Sequence, residues 1–237
     1  FGQGAIRCHP HAYNEVVAVE KNDVSLFDKA FSGHVAHIVK NLSRSVVLSV
    51  TRGALASAPN GTPMKDYYKK LAWASASFAI MSDIAMGSLG GKLKSKEKLT
   101  GRFADVLSWM YLVTAALRRY EEEGQLREDE DHVHYVAQYG LTQIQAAFEG
   151  IFSNFDVPIL GGFLKYVILP WARVNTFAQA PNDKLSSSVA RRSMTPGAFR
   201  DRLVEGIYYP LDGDTSHAKF ERAYVKLQDS KMINKKS

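Results

Sequence analysis

The sequence contains very little cysteine: Cys8 is the only one among 237 residues, so no intrachain disulfide can form. Scarce cysteine is typical of proteins kept in a reducing compartment, and we therefore expect a cytoplasmic location. Apolar residues never run for the roughly 18 positions that a transmembrane helix needs. The first residues also lack the pattern of a secretory signal, and no initiator methionine precedes Phe1. We expect the chain to be the C-terminal remainder of a longer protein.

Strand patterns are also scarce. No stretch of six residues alternates between apolar and polar positions, and Asn60-Gly61 lies between two helical patterns rather than two strands. Helical periodicity dominates instead. The sequence predicts an all-α fold, a bundle of about four long antiparallel helices followed by several short C-terminal helices.

The first long helix is predicted to begin after Asp23 as N-cap and to end before Pro59. At 1.5 Å per residue it would be about 50 Å long, so we expect it to need a large partner surface. Its apolar residues recur every three or four positions: Leu26, Ala30, Phe31, Val35, Ile38, Leu42, Val46 and Val50.

Three further long helices are predicted over about 65–89, from about 95 to Gly124, and from about Asp129 onward. Gly90 and Gly91 predict the end of the first of these helices. Short helices are predicted at about 183–194, 196–205 and 216–228, the second with Thr195 as cap and Pro196 in the first helical position.

Sequence motifs typical of catalytic or metal-binding sites are weak or absent. Cys8 and His9, followed by His11, resemble metal ligands, but zinc needs four ligands and no second pair has suitable spacing. His132 and His134 could join them only through the tertiary fold, so we interpret residues 8–11 as a turn before a helix.

The glycine motifs and the candidate buried acids are more typical of structural roles than of an active site. Gly2 and Gly4 are too few for a dinucleotide fingerprint, and the segment 89–92 lacks the strand before a phosphate loop. Asp83 and Asp105 could be buried acids with raised pKa, although a buried aspartate is more often paired with arginine or a hydroxyl. The sequence therefore predicts no catalytic, cofactor-binding or metal-ligating residue in this chain.

Basic residues give a net charge of +6 and form clusters at 92–102, 191–202 and 231–236. Such clusters are usually solvated surfaces; the alternative is a docking surface for phosphates or anionic lipid. Exposed aromatics are not interleaved with them, so we expect no nucleic-acid partner.

The most apolar stretch is 158–171, which at 14 residues is shorter than a membrane span. Burial in the core is the first interpretation. The alternative is an interfacial helix, in which Lys165 and Arg173 meet anionic head groups and bring the protein to the membrane as a peripheral contact.

Several motifs occur together and in order. They read FGQGAIRCHP at 1–10, LGGKLKSKEKL at 89–99, GRFADVLS at 101–108, APNDKL at 180–185, and VAR followed by TPGAFR within 189–200. Together they resemble the C-terminal region of large bacterial, FadE-type acyl-CoA dehydrogenases of fatty-acid β-oxidation. The resemblance covers roughly 1–208, and residues 212–237 are less similar to the family.

The resemblance implies an FAD enzyme that oxidises long-chain acyl-CoA to trans-2-enoyl-CoA. In that family a glutamate takes the α-proton while the β-hydrogen leaves as hydride to the flavin. The glutamate and the flavin-binding elements precede the region matched here, so no catalytic or FAD-contacting residue is assigned to this chain. The partners implied are acyl-CoA, an electron-transfer acceptor and further copies of the protein in a homo-oligomer.

The resemblance also suggests a domain division. Residues 1–20 resemble the tail of the dehydrogenase helical domain, 21–210 its appended helical extension, and 211–237 a basic tail. For the extension we expect a supporting role, in which it packs on the catalytic body or across a dimer and shapes access for the acyl chain. The alternative is a membrane- or partner-docking module.

Overall fold

The computed structural model describes residues 9–207, 213 and 215–234, with 231–234 described by their backbone alone. Over these residues the chain is helical and has no strand, which confirms the predicted all-α class. The α-helices are α1 (Ala12–Glu20), α2 (Val24–Val50), α3 (Lys65–Leu89), α4 (Glu97–Glu122), α5 (Glu130–Asn154), α6 (Leu160–Phe163), α7 (Leu169–Val174), α8 (Asp183–Met194), α9 (Ala198–Val204) and α10 (Ser216–Asn234).

Helix α2 starts as predicted and ends early. The Asp23 carboxylate accepts a hydrogen bond from the Leu26 backbone N–H at 2.9 Å, as expected of an N-cap. The predicted end near Pro59 is wrong, because α2 stops at Val50. Arg52 and Gly53 have φ values of +51° and +77°, and this left-handed backbone turns the chain away. Its 27 residues span about 40 Å rather than 50 Å.

Helix α3 matches the prediction at both ends, and Gly90 ends it with a φ of +49°.

The predicted start of α9 is wrong in detail. Thr195 ends α8, where its hydroxyl donates to the Arg191 carbonyl at 2.8 Å, and α9 begins only at Ala198. The last helix continues to Asn234, beyond the predicted Gln228.

The described chain divides into two compact units. The first runs to Gln125 and includes Val136–Ala180; the second comprises Leu126–Tyr135 and the chain from Pro181 onward. In the first unit, large apolar side chains from α3, α4 and α5 are less than 5% exposed and form the core: Met81, Phe103, Val106, Val113, Leu117, Leu141, Ile144, Phe148 and Ile151.

Close contact between α4 and α5 depends on a glycine. Gly140 is buried in α5, and a Cβ there would overlap the Val113 side chain of α4. Tight interhelical packing of this kind leaves no room for added volume.

Charged pairs organise the second unit. Arg202 of α9 binds Glu128 at 2.7 Å and Asp129 at 2.8 Å, and Arg200 binds Glu221 of α10 at 2.7 Å. His132 shares a hydrogen bond with the Ser193 hydroxyl of α8 at 2.8 Å. These contacts link α8, α9, α10 and the start of α5 within the second unit.

One face of α2 is apolar and open to solvent. Ala30 and Leu48 face the core, whereas the residues on the open face are about half exposed or more. We call this face the α2 stripe; it comprises Phe31, Val35, Val39, Leu42, Val46 and Val50. The predicted periodicity was therefore right, but most of the residues it grouped are not buried by this chain.

Candidate functional site

A cavity of about 270 Å³ lies in the first unit, between α2, α3, α5 and the segment that contains α6 and α7. Its wall is almost wholly aliphatic and aromatic, and its main contributors are Leu42, Val46, Trp73, Ile80, Met81, Ile84, Phe148, Phe152, Phe163, Leu164, Ile168, Trp171 and Phe177. Ligand sites in proteins have this character, a concave apolar wall with a few placed polar groups.

Several polar groups of the wall, on Ser49, Gln145, Trp171 and Asn175, form hydrogen bonds within the protein. The Asn175 amide, only 4% exposed, donates to the Ser49 backbone carbonyl at 2.7 Å, and the Trp171 indole N–H donates to the Ser49 hydroxyl at 2.9 Å. Gln145 donates to the Ala172 carbonyl at 3.1 Å. Because these donors and acceptors already have partners within the protein, they do not require hydrogen bonds from a bound ligand.

Arg52 stands at the edge of this cluster. It follows α2, is exposed, and donates Nε–H to the Asn175 side-chain oxygen at 2.9 Å. Within the described part of the chain, no carboxylate lies within ion-pair distance of its guanidinium. The cavity therefore has a cation fixed beside one of its polar wall residues.

The segment 158–174 forms one side of the cavity and is only partly buried. Leu164 and Leu169 are 2% and 7% exposed, but Phe163 and Trp171 are about half exposed and Ile159 is 93% exposed. Core burial of the whole stretch is therefore contradicted. The backbone is π-helical over Leu164–Ile168, between α6 and α7, and such irregular turns occur often at functional sites.

A second cluster groups histidines around His9. The His9 ring centroid lies 4.3 Å from that of His34 and 4.9 Å from that of His37, both on α2, and 6.2 Å from that of His11. His34 donates to Glu15 of α1 at 2.7 Å. The sequence prediction missed His34 and His37, although their spacing of three residues places both on one helical face.

Asp83 of α3 completes this cluster. Its side chain is 6% exposed, accepts from Asn41 at 3.2 Å, and lies 3.8 Å from His9 Nε2. The Asp83 side chain is buried, as the sequence allowed, but its partners are Asn41 and His9 rather than an arginine or a hydroxyl. Asp105 is exposed, and that part of the prediction is wrong. Burial, followed by the neighbouring His34, lowers the pKa of His9, and Asp83 acts in the opposite direction.

His9, His37 and Asp83 offer ligand atoms within 4.8 Å of one another. The hydrogen bonds of His9, however, oppose a metal. Its Nδ1 accepts the backbone N–H groups of His11 at 3.2 Å and Ala12 at 3.0 Å, which leaves the proton of the neutral ring on Nε2. A ligating histidine has the reverse arrangement and donates through its other nitrogen. We interpret His9 as part of the turn before α1, which the sequence predicted. Its Nδ1 in addition caps the first backbone N–H groups of that helix, which the sequence did not predict.

The remaining predicted residues do not converge on either site. Cys8, Gly2 and Gly4 lie outside the described residues. His132 and His134 belong to the second unit, and Lys92 is exposed in a 3₁₀ turn after α3 rather than in a phosphate loop. The cavity itself was not predicted, because its wall comes from four elements far apart in sequence.

Residues 6–237 match the family model described as acyl-CoA dehydrogenase, C-terminal, bacterial type. The chain belongs to this family. The match extends through residues 212–237, which the motif resemblance left out. No solved structure matches the chain.

Membership in the bacterial-type acyl-CoA dehydrogenase C-terminal family agrees with the all-α fold. None of the described helices combines the length and the apolar character needed to cross a membrane.

Proposed function

We propose that this chain is the C-terminal helical part of an FAD-dependent enzyme that oxidises long-chain acyl-CoA to trans-2-enoyl-CoA. The observation that carries the proposal is the family match over 6–237. In this proposal the helices support the catalytic body and shape access for the acyl chain, and the protein works in the cytoplasm.

Among the described residues, the cavity does not fit a flavin. Its wall is apolar, and Gln145, Trp171 and Asn175 use their donors within the protein, so it presents no array of donors to the ring or the pyrophosphate of FAD. We therefore derive no catalytic step here. FAD supplies the hydride acceptor when it is bound, and its contacts are proposed to lie in the preceding part of the parent protein.

The exposed α2 stripe supports the assigned role. Six apolar residues aligned on one face of a helix constitute the kind of surface that proteins cover with another domain or subunit. Leu42, Val46 and Val50 of the stripe also line the cavity. We therefore propose that the catalytic body covers the other end of the stripe, Phe31, Val35 and Val39, in the same protein or across a homo-oligomer.

A comparison of parent proteins tests this function. The parent that includes the region encoded upstream of Phe1 is purified with and without residues 24–237. The intact protein is expected to be yellow and to lose its flavin absorbance when palmitoyl-CoA is added without oxygen. Deletion is expected to lower the thermal stability of the parent and its kcat/KM for palmitoyl-CoA more than for butyryl-CoA. An intact parent without flavin, or one that does not react with acyl-CoA, would refute the proposal.

The second candidate is membrane docking through 158–171, which the exposure of this stretch favours. Ile159, Tyr166 and Val167 are 93%, 73% and 53% exposed, and the cationic Lys165, which is also exposed, lies among them in the sequence. Flotation of the 237-residue chain with anionic and with neutral liposomes tests it, with Ile159→Glu as the variant. Binding only to anionic liposomes, lost in the variant, is expected; absence of binding at low salt would contradict docking.

A further inference from the structure

We propose that the cavity binds one unbranched aliphatic chain that carries an anionic head group, and that Arg52 pairs with that head. A fatty acid and an acyl-CoA both supply this chemistry, and choosing them as the natural source rests on the proposed function. The cavity itself is assigned from its volume, its apolar wall and the Arg52 guanidinium that is hydrogen-bonded to a wall residue.

The size of the cavity favours a narrow ligand. Its volume of about 270 Å³ lies just below the range of about 300–1,000 Å³ found for drug-sized ligands. Transfer of a methylene group from water into apolar surroundings is favourable, so each carbon that enters this space adds to affinity.

The wall favours an aliphatic chain over a polypeptide segment. A peptide would bring backbone N–H and C=O groups into the cavity, and unpaired polar groups of this kind are costly to bury. Ser49, Gln145 and Asn175 are already bonded within the protein and offer such groups little compensation. An alkyl chain brings no polar group and needs none.

The head group is assigned from Arg52. Asn175 lines the cavity and accepts the Arg52 Nε–H, which holds the guanidinium next to a residue of the cavity wall. The two Nη groups make no hydrogen bond within the described residues and are exposed. A guanidinium fork binds carboxylate or phosphate oxygens with two parallel hydrogen bonds, so an anionic head fits this position.

Matched variants on α3 test the cavity. Ser77 lines it, whereas Ser75 lies two residues away and is exposed. Ser77→Phe fills the cavity with an apolar ring, and Ser75→Phe adds the same ring outside it. Circular dichroism and thermal unfolding establish that both variants fold.

Dodecanoate and dodecanoyl-CoA are titrated separately into the 237-residue chain by calorimetry. We expect binding of one ligand per chain, weakened at least about tenfold by Ser77→Phe and unchanged in Ser75→Phe. Arg52→Gln is expected to weaken binding about tenfold through the head group, and dodecyltrimethylammonium is expected to bind more weakly than dodecanoate. The ligand with the higher affinity shows whether the natural ligand is a fatty acid or an acyl-CoA.

Absence of saturable binding, or equal affinity in Ser77→Phe and the unmodified chain, would overturn the cavity assignment. Unchanged binding in Arg52→Gln would overturn the assignment of Arg52. Because the titrations use neither flavin nor turnover, their failure is separate from failure of the proposed function, which the spectrum of the parent tests.

Discussion

At the scale of the residue, His9 shows how a single side chain can make stability depend on pH. It is buried, caps α1 through Nδ1, and faces His34 and His37 of α2 and Asp83 of α3, with Glu15 of α1 bound to His34. Burial and His34 lower its folded pKa below 6.5, so the unfolded chain binds its proton more tightly. The stabilising contribution is complete above the unfolded pKa of 6.5 and is lost as pH falls from there through the folded pKa.

His9→Asn tests this dependence, because the asparagine oxygen can still accept the two backbone N–H groups but does not titrate. We expect the fall in Tm between about pH 7.5 and about pH 5.5 to become smaller in the variant. Some of the fall should remain, since burial and Arg192 also lower the pKa of His132. His217, which is exposed, gives the control: His217→Asn should leave the dependence unchanged. An identical slope in His9→Asn and the unmodified chain would contradict the assignment.

At the scale of the element, contact between α4 and α5 depends on the missing Cβ of Gly140. Gly140→Ala introduces a methyl group that overlaps the buried Val113 side chain. Overpacking of this kind typically costs about 1–3 kcal/mol, so we expect the free energy of unfolding to fall by that amount.

Urea denaturation measures this effect, with Gly87→Ala as the control. Gly87 lies within α3, and a Cβ there would meet nothing within 4 Å. Alanine has a higher helix propensity than glycine by about 1 kcal/mol, so the control should stabilise the chain. Equal effects of the two substitutions would mean that α4 and α5 tolerate the added volume.

Helix boundaries show which elements sequence reasoning can predict. Gly90 marks the end of α3 clearly, since few other residues adopt positive φ, and the prediction there was confirmed. The end of α2 was missed because Arg52 takes a left-handed conformation that its residue type does not signal, although Gly53 follows it. The apolar periodicity was right but could not show which residues this chain buries.

The sequence did not predict which residues form the cavity. Ser49 and Trp171 are 122 residues apart in sequence and meet through a hydrogen bond. Local patterns carry no information on such a contact, because it results from how several helices pack. The spacing of His34 and His37, in contrast, was a local signal that a search for same-face histidines would find.

At the scale of the whole molecule, the α2 stripe leads us to expect that the chain associates when it is purified alone. Sedimentation velocity over a range of concentrations should show association that weakens at lower concentration. Val35→Glu places a charge in the stripe and should weaken association by roughly tenfold, since burying an unpaired charge is unfavourable.

Ala36→Glu provides the control for this prediction. Ala36 is exposed, and a rotation of 100° per residue places it beside the stripe rather than in it. The Ala36→Glu substitution adds the same charge to the same helix and should leave association nearly unchanged. If both variants associate as the unmodified chain does, the stripe is not the surface responsible.

The placement of the three tryptophans gives the molecule a built-in optical reporter. Trp73 and Trp171 both belong to the cavity wall, whereas Trp109 packs against Tyr139, with ring centroids 5.4 Å apart, away from that wall. Two of the three indoles are therefore placed to change their emission when a molecule displaces solvent beside them, and the third adds a background that stays constant. Fluorescence of the unlabelled protein can follow occupancy in real time, without a dye attached to the surface whose occupant is in question.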